Sequence, residues 1–202
     1  MAKNKISEPK QRRSIEKKKK IVNAGFKLFC EKGFYKTNTA EIAREAGVST
    51  GIVYRYFPDK KAIFLDCLPM FFNSIYAGVY IEIQQLSPPF DYENTLNAII
   101  DSIVTAHSYS KDAHEEMMAM SHSDPDVKEY FNQAYRTMNI QLSEVLGLIG
   151  LSTDNSFEKI HIIIDMIESY CHEVVFERDE RLDYGVLKEI LTKGIESILN
   201  IC

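Results

Sequence analysis

The sequence is poor in the residues that make loops and in those that make covalent frames. Six prolines and nine glycines among 202 residues are too few for a loop-rich all-β fold, and no segment shows a convincing strand alternation or an internal repeat. Four cysteines, Cys30, Cys67, Cys171 and Cys202, form no CxxC pair. The first three fall in apolar helical patterns, which argues for reduced core thiols in a cytoplasmic protein and against a disulfide framework. No uncharged apolar stretch reaches about 18 residues, so no membrane span is expected. The charged N-terminus lacks the apolar run of a signal peptide. The motifs of catalysis are missing too: there is no nucleophile elbow, P-loop, GxGxxG or HExxH. No catalytic residue, metal or cofactor is expected, and the chain does not read as an enzyme.

What is present is charge, unevenly placed. Residues 1–61 carry 16 Lys/Arg against 6 Asp/Glu, and residues 62–202 carry 8 against 23. A basic first third on an acidic body suggests a polyanion-binding end; a solvated basic tail is the plainer alternative.

Helix signals fill the rest. Residues 1–13, polar, basic and broken by Pro9, read as a disordered tail. Ser14 then starts a helix with Ile21, Ala24, Gly25, Leu28 and Phe29 on one face, stopped at Gly33. Asn38 with Glu41, or Thr39 itself, caps a short helix whose inner face is Ile42, Ala43 and Ala46. Gly47 ends it. Ser49 caps another short helix carrying Ile52, Val53 and Phe57. Pro58 stops that one, and Asp59 caps a long helix over residues 60–85. Asp91 caps a helix with Leu96, Ile99, Ile100, Ile103 and Val104 on one side. Asp124 caps the next, with Pro125 at its first position, and helices over residues 157–177 and 184–201 complete an all-α chain.

Two short helices meeting across "EAGVS" make a helix-turn-helix. Small Ala43 lets the helices pack closely, Gly47 permits the left-handed turn, and Val48 plugs the junction. With Ile52, Val53 and Phe57 inward, Thr50, Gly51 and Tyr54 remain on the outer face near the helix tip, the part of this motif that enters the major groove.

The stretch "GFKLFCEKGFYKTNTAEIAREAGVSTGIVYRYFPDKKAIFLDCL" resembles the N-terminal DNA-binding domain of the tetracycline-repressor family, over about residues 14–65. The acidic remainder, residues 66–202, resembles the family only in being helical and of suitable length. The resemblance implies a three-helix DNA-binding domain followed by a larger helical effector-binding and dimerisation domain. Position by position it implies that Thr39, Tyr56 and Lys60 contact phosphate, with the Ser49 hydroxyl nearby, and that Thr50, Gly51 and Tyr54 approach base edges. Arg55 occupies a variable position. Closure of the small domain's core is the alternative role for Tyr54 and Tyr56.

The helix over residues 157–177 has apolar residues around roughly 220° of its circumference at about 100° per residue, where a one-sided helix needs little more than about 100°. Burial on two sides is expected, by its own core and by a second subunit. Ile163, Ile167, Tyr170 and Val174, with Leu187, Leu191, Gly194, Ile195 and Ile198 of the last helix, are the candidate homodimer surface. The resemblance implies the same four-helix arrangement.

A polar stripe on that helix, His161, Asp165, Glu168 and His172, is expected to be exposed, with a metal or cationic-ligand site as the alternative. Phe72, Tyr76, Tyr80, His107, Tyr109, Met117, Met118 and Met120 are candidates for an effector pocket or for ordinary core. Glu115, Glu116 and Asp101 would favour a lipophilic effector that is cationic. Pro69, inside the long helix, is expected to kink it. These features and the family resemblance together imply a ligand-responsive repressor that binds a pseudo-palindromic double-stranded DNA operator as a homodimer. A DNA-binding regulator without a small-molecule effector, constitutive or protein-controlled, is the alternative.

Overall fold

In the computed structural model the described residues are 7–109 and 111–201, and of residues 7–11, 109 and 112 only the backbone is described. They form helices α1 (Ser7–Lys32), α2 (Thr39–Glu45), α3 (Thr50–Tyr56), α4 (Lys60–Gln85), α5 (Tyr92–Tyr109), α6 (Lys111–Ser123), α7 (Pro125–Leu148), α8 (Ser156–Val175) and α9 (Tyr184–Leu199). No strand occurs among them, and the fold is all-α. Helix α1 begins at Ser7 rather than Ser14, so residues 7–13, expected as part of a disordered tail, are helical; residues 1–6 and Cys202 lie outside the described part.

The chain divides into two compact units. One takes in residues up to Phe71 together with Asp112–Val127; the other takes in Phe72–Lys111 and the chain from Lys128 onward. The boundary expected at residue 65 therefore falls later. The first unit also recruits α6, which the sequence pattern did not separate from its neighbours because no glycine or proline stands between α5 and α6.

In the first unit, Ile21 and Phe29 of α1, Ile42 of α2, Val53 of α3 and Ile63, Phe64 and Leu68 of α4 are buried. Phe29 and Phe34 both meet the Phe64 ring edge-on, with centroids 5.4 and 5.0 Å apart, an arrangement favoured by the ring quadrupoles. Ala113, Met117 and Met120 of α6 add to this core.

In the second unit, α5, α8 and α9 pack on one another. Ile99, Ile100 and Ile103 of α5 are buried, as are Ile160, Ile167 and Cys171 of α8 and Leu191, Ile195 and Leu199 of α9. Burial pushes the Cys171 thiol up to about 12, so it stays protonated and unreactive. Helix α4 has a stretch long and apolar enough to cross a membrane by length and composition alone, but 44% of that stretch is buried within the fold. A buried helix of a globular core has the same composition.

Candidate nucleic-acid interface and effector cavity

The helix-turn-helix is built by local signals. Asn38 closes a capping box at the start of α2: its side chain accepts from the Glu41 amide at 3.0 Å, and the Glu41 carboxylate accepts from the Asn38 amide at 3.1 Å. Asn38 is therefore the cap, and Thr39 is the first helical residue. The turn after α2 passes through Gly47 at φ 66°, left-handed backbone that a side chain would strain. Val48 donates back to the Ala43 carbonyl at 3.0 Å. Ser49 then caps α3, its hydroxyl accepting from the Ile52 amide at 3.4 Å.

Helix α3 sorts its residues by face. Val53 is fully buried, and Phe57 just beyond the helix is 3% exposed. On the other side Gly51 and Arg55 are exposed, Thr50 is half-buried, and Tyr54 is 55% exposed. Tyr56 is half-buried, and its hydroxyl lies 3.1 Å from that of Ser14 on α1. Of the two tyrosines, Tyr54 is thus the one presented to solvent, while Tyr56 also ties α3 to α1. Lysines 17, 19 and 20 of α1 are exposed and extend the basic surface of this unit.

Lys60 does more than the sequence suggested. Its ammonium donates to the carbonyls of Phe34 at 2.6 Å and Thr37 at 2.8 Å and sits 4.1 Å from the centroid of the Phe34 ring. It holds the turn between α1 and α2. Burial pulls the ammonium below the usual lysine value, with the nearby Glu116 carboxylate opposing that shift. One of its three N–H groups is left for another partner.

Glu116 of α6 has a task that no sequence pattern signals. Its carboxylate accepts from the amides of Phe34 and Tyr35 and lies against Gly33, where an added Cβ would overlap a carboxylate oxygen. Gly33 is also left-handed, at φ 82°. Lys61 of α4 pairs with Asp124 and Asp126, each at 2.7 Å. Asp124 caps α7 through the amides of Asp126 and Val127. Glu116 and the α1–α2 turn, like Lys61 and its two aspartates, stand more than 60 residues apart in sequence, so no local pattern reveals those pairings.

The second unit contains an apolar cavity of about 130 Å³ between α4, α5, α7, α8 and α9. Val79, Ile99, Ile103, Leu142, Ile163 and Ile195 are among its walls. Its charged lining residue is Glu168, and Tyr76 lines it beside Glu168.

The candidate effector residues disperse. Tyr76 reaches the cavity, whereas Phe72 and Tyr80 line a separate surface groove, where the Tyr80 hydroxyl donates to Gln141 at 2.9 Å. His107 is buried and bonded to Glu168. Met117, Met118 and Met120 belong to the first unit with α6, and Met117 and Met120 are core there. The Tyr109 side chain lies outside the described residues. The acidic residues expected to favour a cation are engaged or turned away: Glu116 holds the α1–α2 turn, Glu115 is exposed, and Asp101 pairs with Lys188 at 2.6 Å.

The polar stripe of α8 splits. His161 and Asp165 are exposed, 3.7 Å apart. Glu168 and His172 turn toward His107. One Glu168 oxygen accepts from the Tyr76 hydroxyl, and the other lies 3.2 Å from Nε2 of His107. Burial pulls the His107 ring down, but the bond and charge of Glu168 and the Ile103 carbonyl outweigh it, and the net shift is upward. Burial beside the same carboxylate raises the Tyr76 and Tyr135 hydroxyls, which therefore remain donors.

The candidate dimer residues also divide. Ile195 is fully buried and lines the cavity, and Ile167 and Leu191 are buried; all three serve the chain's own core and are unavailable to a partner. Gly194 faces Met166 of the same chain, whose terminal carbon would lie 3.2 Å from an added Cβ, so its smallness serves α8–α9 packing. Ile163, Tyr170, Val174, Leu187 and Ile198 are half-buried. The outermost apolar residues are Ile162, Val186 and Ile190, 49%, 51% and 63% exposed.

Comparison with known proteins agrees with this geometry. The family profile of bacterial regulatory proteins, tetR family, matches residues 21–67, the stretch from mid-α1 into α4. The HTH-type transcriptional regulator HbdR of Aromatoleum sp. (strain CIB) is 38% identical over 76 residues, 38% of this chain and 33% of that protein. The chain spans about a third of the length of the regulators it matches first in sequence. Among solved structures, GusR of Salmonella enterica is similar with a TM-score of 0.68 at 17% identity, over 98% of this chain and 100% of that one. A protein from Saccharomonospora viridis in complex with choline is similar with a TM-score of 0.63 at 16% identity, over 89% and 95%. At such identities the structures establish the fold. The matching profile and HbdR are of transcriptional regulators, not of enzymes.

Proposed function

We propose that the chain is a transcriptional regulator of the tetR family, whose profile its residues 21–67 match, and a ligand-responsive repressor, binding a pseudo-palindromic operator as a homodimer and leaving it when a small lipophilic effector binds. The observation that carries this reading is the sorting of α3, with Val53 and Phe57 inside and Gly51 and Tyr54 outside on a basic unit. Thr50, Gly51 and Tyr54 read base edges. Thr39, Ser49, Tyr56 and the remaining N–H of Lys60 contact phosphate, fixing register without reading sequence.

The dimer surface is the outer face of α8 and α9, centred on Ile162, Val186 and Ile190 with the half-buried residues beside them. A two-fold axis there sets two copies of α3 on two half-sites. The effector occupies the cavity of the second unit. Its size is near that of the ~150 Å³ apolar cavities that take up benzene-sized molecules, and its one carboxylate favours a cation or a hydrogen-bond donor at that end. The choline held by the similar Saccharomonospora viridis protein is a cation of this kind.

Pro69 lies two residues before the division between the units. Having no N–H, it leaves the Leu65 carbonyl without its helical donor, so α4 bends there at low cost. Effector binding tilts α4 at this point and changes the separation of the two recognition helices.

Selection of bound duplexes from a random pool is the primary test, and a two-fold-related site is the expected result. Enrichment of no sequence over the pool would refute operator binding. A thermal-shift screen of small apolar compounds then tests the effector; a hit must also lower affinity for the selected duplex. Identical recognition-helix separation in structures with and without that compound would refute the tilt of α4.

A further inference from the structure

We propose that His107, Glu168 and His172 form a binding site for a divalent transition-metal ion, of which zinc is the type. Glu168 and His172 are one turn apart on α8, the spacing that sets two side chains on one helical face. His107 comes from α5, which packs against α8. One ligand atom from each of the three lies within 4.8 Å of the others. Nε2 of His107 and Oε2 of Glu168 are 3.2 Å apart, close to the edge of about 3.3 Å in a tetrahedron with bonds of about 2.05 Å.

The surroundings are those of a metal site. Nδ1 of His107 lies 2.9 Å from the Ile103 carbonyl. A carbonyl only accepts, so Nδ1 carries a hydrogen and Nε2 is the ring atom that faces the carboxylate; without metal Nε2 donates to that carboxylate, and a metal ion would take the place of its proton. Tyr76 donates to the other Glu168 oxygen, and the Tyr135 hydroxyl lies 3.2 Å from that of Tyr76. His107 and Glu168 thus each have an outer partner that fixes their direction, as resident metal ligands do. The Glu168 side chain is only 16% exposed and that of His107 not at all. Without metal this carboxylate is held by His107 on one oxygen and by Tyr76 on the other, and a bound cation would keep its charge compensated away from water.

Two imidazoles and one carboxylate suit zinc, cobalt or nickel better than calcium or magnesium, which prefer all-oxygen sets. Glu168 also lines the apolar cavity, so an open coordination position can face whatever occupies it. In that case the cation at Glu168 is a metal ion, and not the head of an organic effector. The exposed pair His161 and Asp165 lies on the same helix, also four residues apart. It stands in water rather than beside the cavity and serves as the internal control.

The site is tested on the full chain, stripped with a chelator and titrated with Co²⁺, whose visible absorption reports coordination, then with Zn²⁺ in competition. The expected result is one Co²⁺ per chain with a band of low-coordinate character, displaced by one equivalent of Zn²⁺. His172→Ala, and His172→Gln as a variant of more nearly preserved volume, should each weaken binding at least about tenfold, the lower end of losses seen for metal-site partners. His161→Ala should leave the titration unchanged. No Co²⁺ band in the wild type, or a band that survives in either folded His172 variant, overturns the proposal. A band lost in His161→Ala assigns the metal to the helix surface and overturns it equally. All readouts are independent of DNA, so failure here leaves the regulator reading intact.

Discussion

Replacing Lys60 by methionine separates two roles of one side chain. Methionine keeps an unbranched apolar stem beside Phe34 but removes the ammonium and its bonds to the Phe34 and Thr37 carbonyls. A hydrogen bond to a charged group contributes about 1.5–3 kcal/mol. Two such bonds set the upper end, but Lys60 is only partly buried. Water can replace it at the carbonyls, and its own desolvation, visible in the lowered ammonium value, offsets part of the gain. The net loss expected is about 2 kcal/mol. With a urea slope of roughly 2 kcal/mol per molar, the unfolding midpoint falls by about 1 M at unchanged slope, measured by far-ultraviolet circular dichroism on the full chain. The phosphate role is read separately: the slope of log affinity against log salt should flatten by about one unit when Lys60 no longer neutralises a phosphate. A midpoint shift equivalent to less than about 0.5 kcal/mol would refute the structural role, and an unchanged salt slope would refute the phosphate role.

Tyr54→Phe and Thr50→Val should change which bases are preferred in duplex selection while leaving stability within about 0.5 kcal/mol, as expected at surface positions. Gly33→Ala should destabilise by at least about 1–2 kcal/mol in thermal melts, since the left-handed backbone and the Glu116 carboxylate both oppose a side chain. Asp124→Asn tests acid lability. The Lys61 partner and the α7 amides hold the Asp124 carboxyl below its ordinary value of 3.8, so the pair's contribution is present above that pH and is lost as pH falls through the lowered folded value. The stability gap between wild type and variant should therefore be constant near neutrality and close below pH 3.8; a gap that persists there counts against the pair. Val186→Asp with Ile190→Asp should yield monomers in sedimentation, and unchanged dimers would move the interface away from α8 and α9.

The helix-turn-helix was legible because its determinants are local. Asn38 and Glu41 lie three residues apart, Gly47 and Ser49 bracket one turn, and a period of about 3.6 residues assigns Val53 and Phe57 to one side and Tyr54 to the other. Capping, backbone sign and helical period act within a few residues, and the expectations at Gly33, Gly47, Ser49 and Asp124 match the structure for that reason. The division of labour on α8 and α9 was not legible. An apolar arc of roughly 220° says that a helix is covered on two sides, but not which residue meets its own core. Only packing decided that Ile167, Leu191 and Ile195 turn inward and Ile162, Val186 and Ile190 outward. The same holds for charges. The stripe His161, Asp165, Glu168 and His172 is uniform in sequence, yet its second half is drawn inward beside His107, 61 residues earlier than Glu168, while its first half remains in water. Lys60 looked like a free cation until Phe34 and Thr37 offered their carbonyls, and Glu116 had no visible task until α6 joined the first unit. Sequence by itself determined most of the helices, the caps at Asn38, Ser49 and Asp124 and the exposed face of α3, because those depend on neighbours along the chain; it missed the separate α6 and the early start of α1. The cavity, the inward carboxylate and the two outer isoleucines depend on neighbours in space, and only the tertiary structure supplies them.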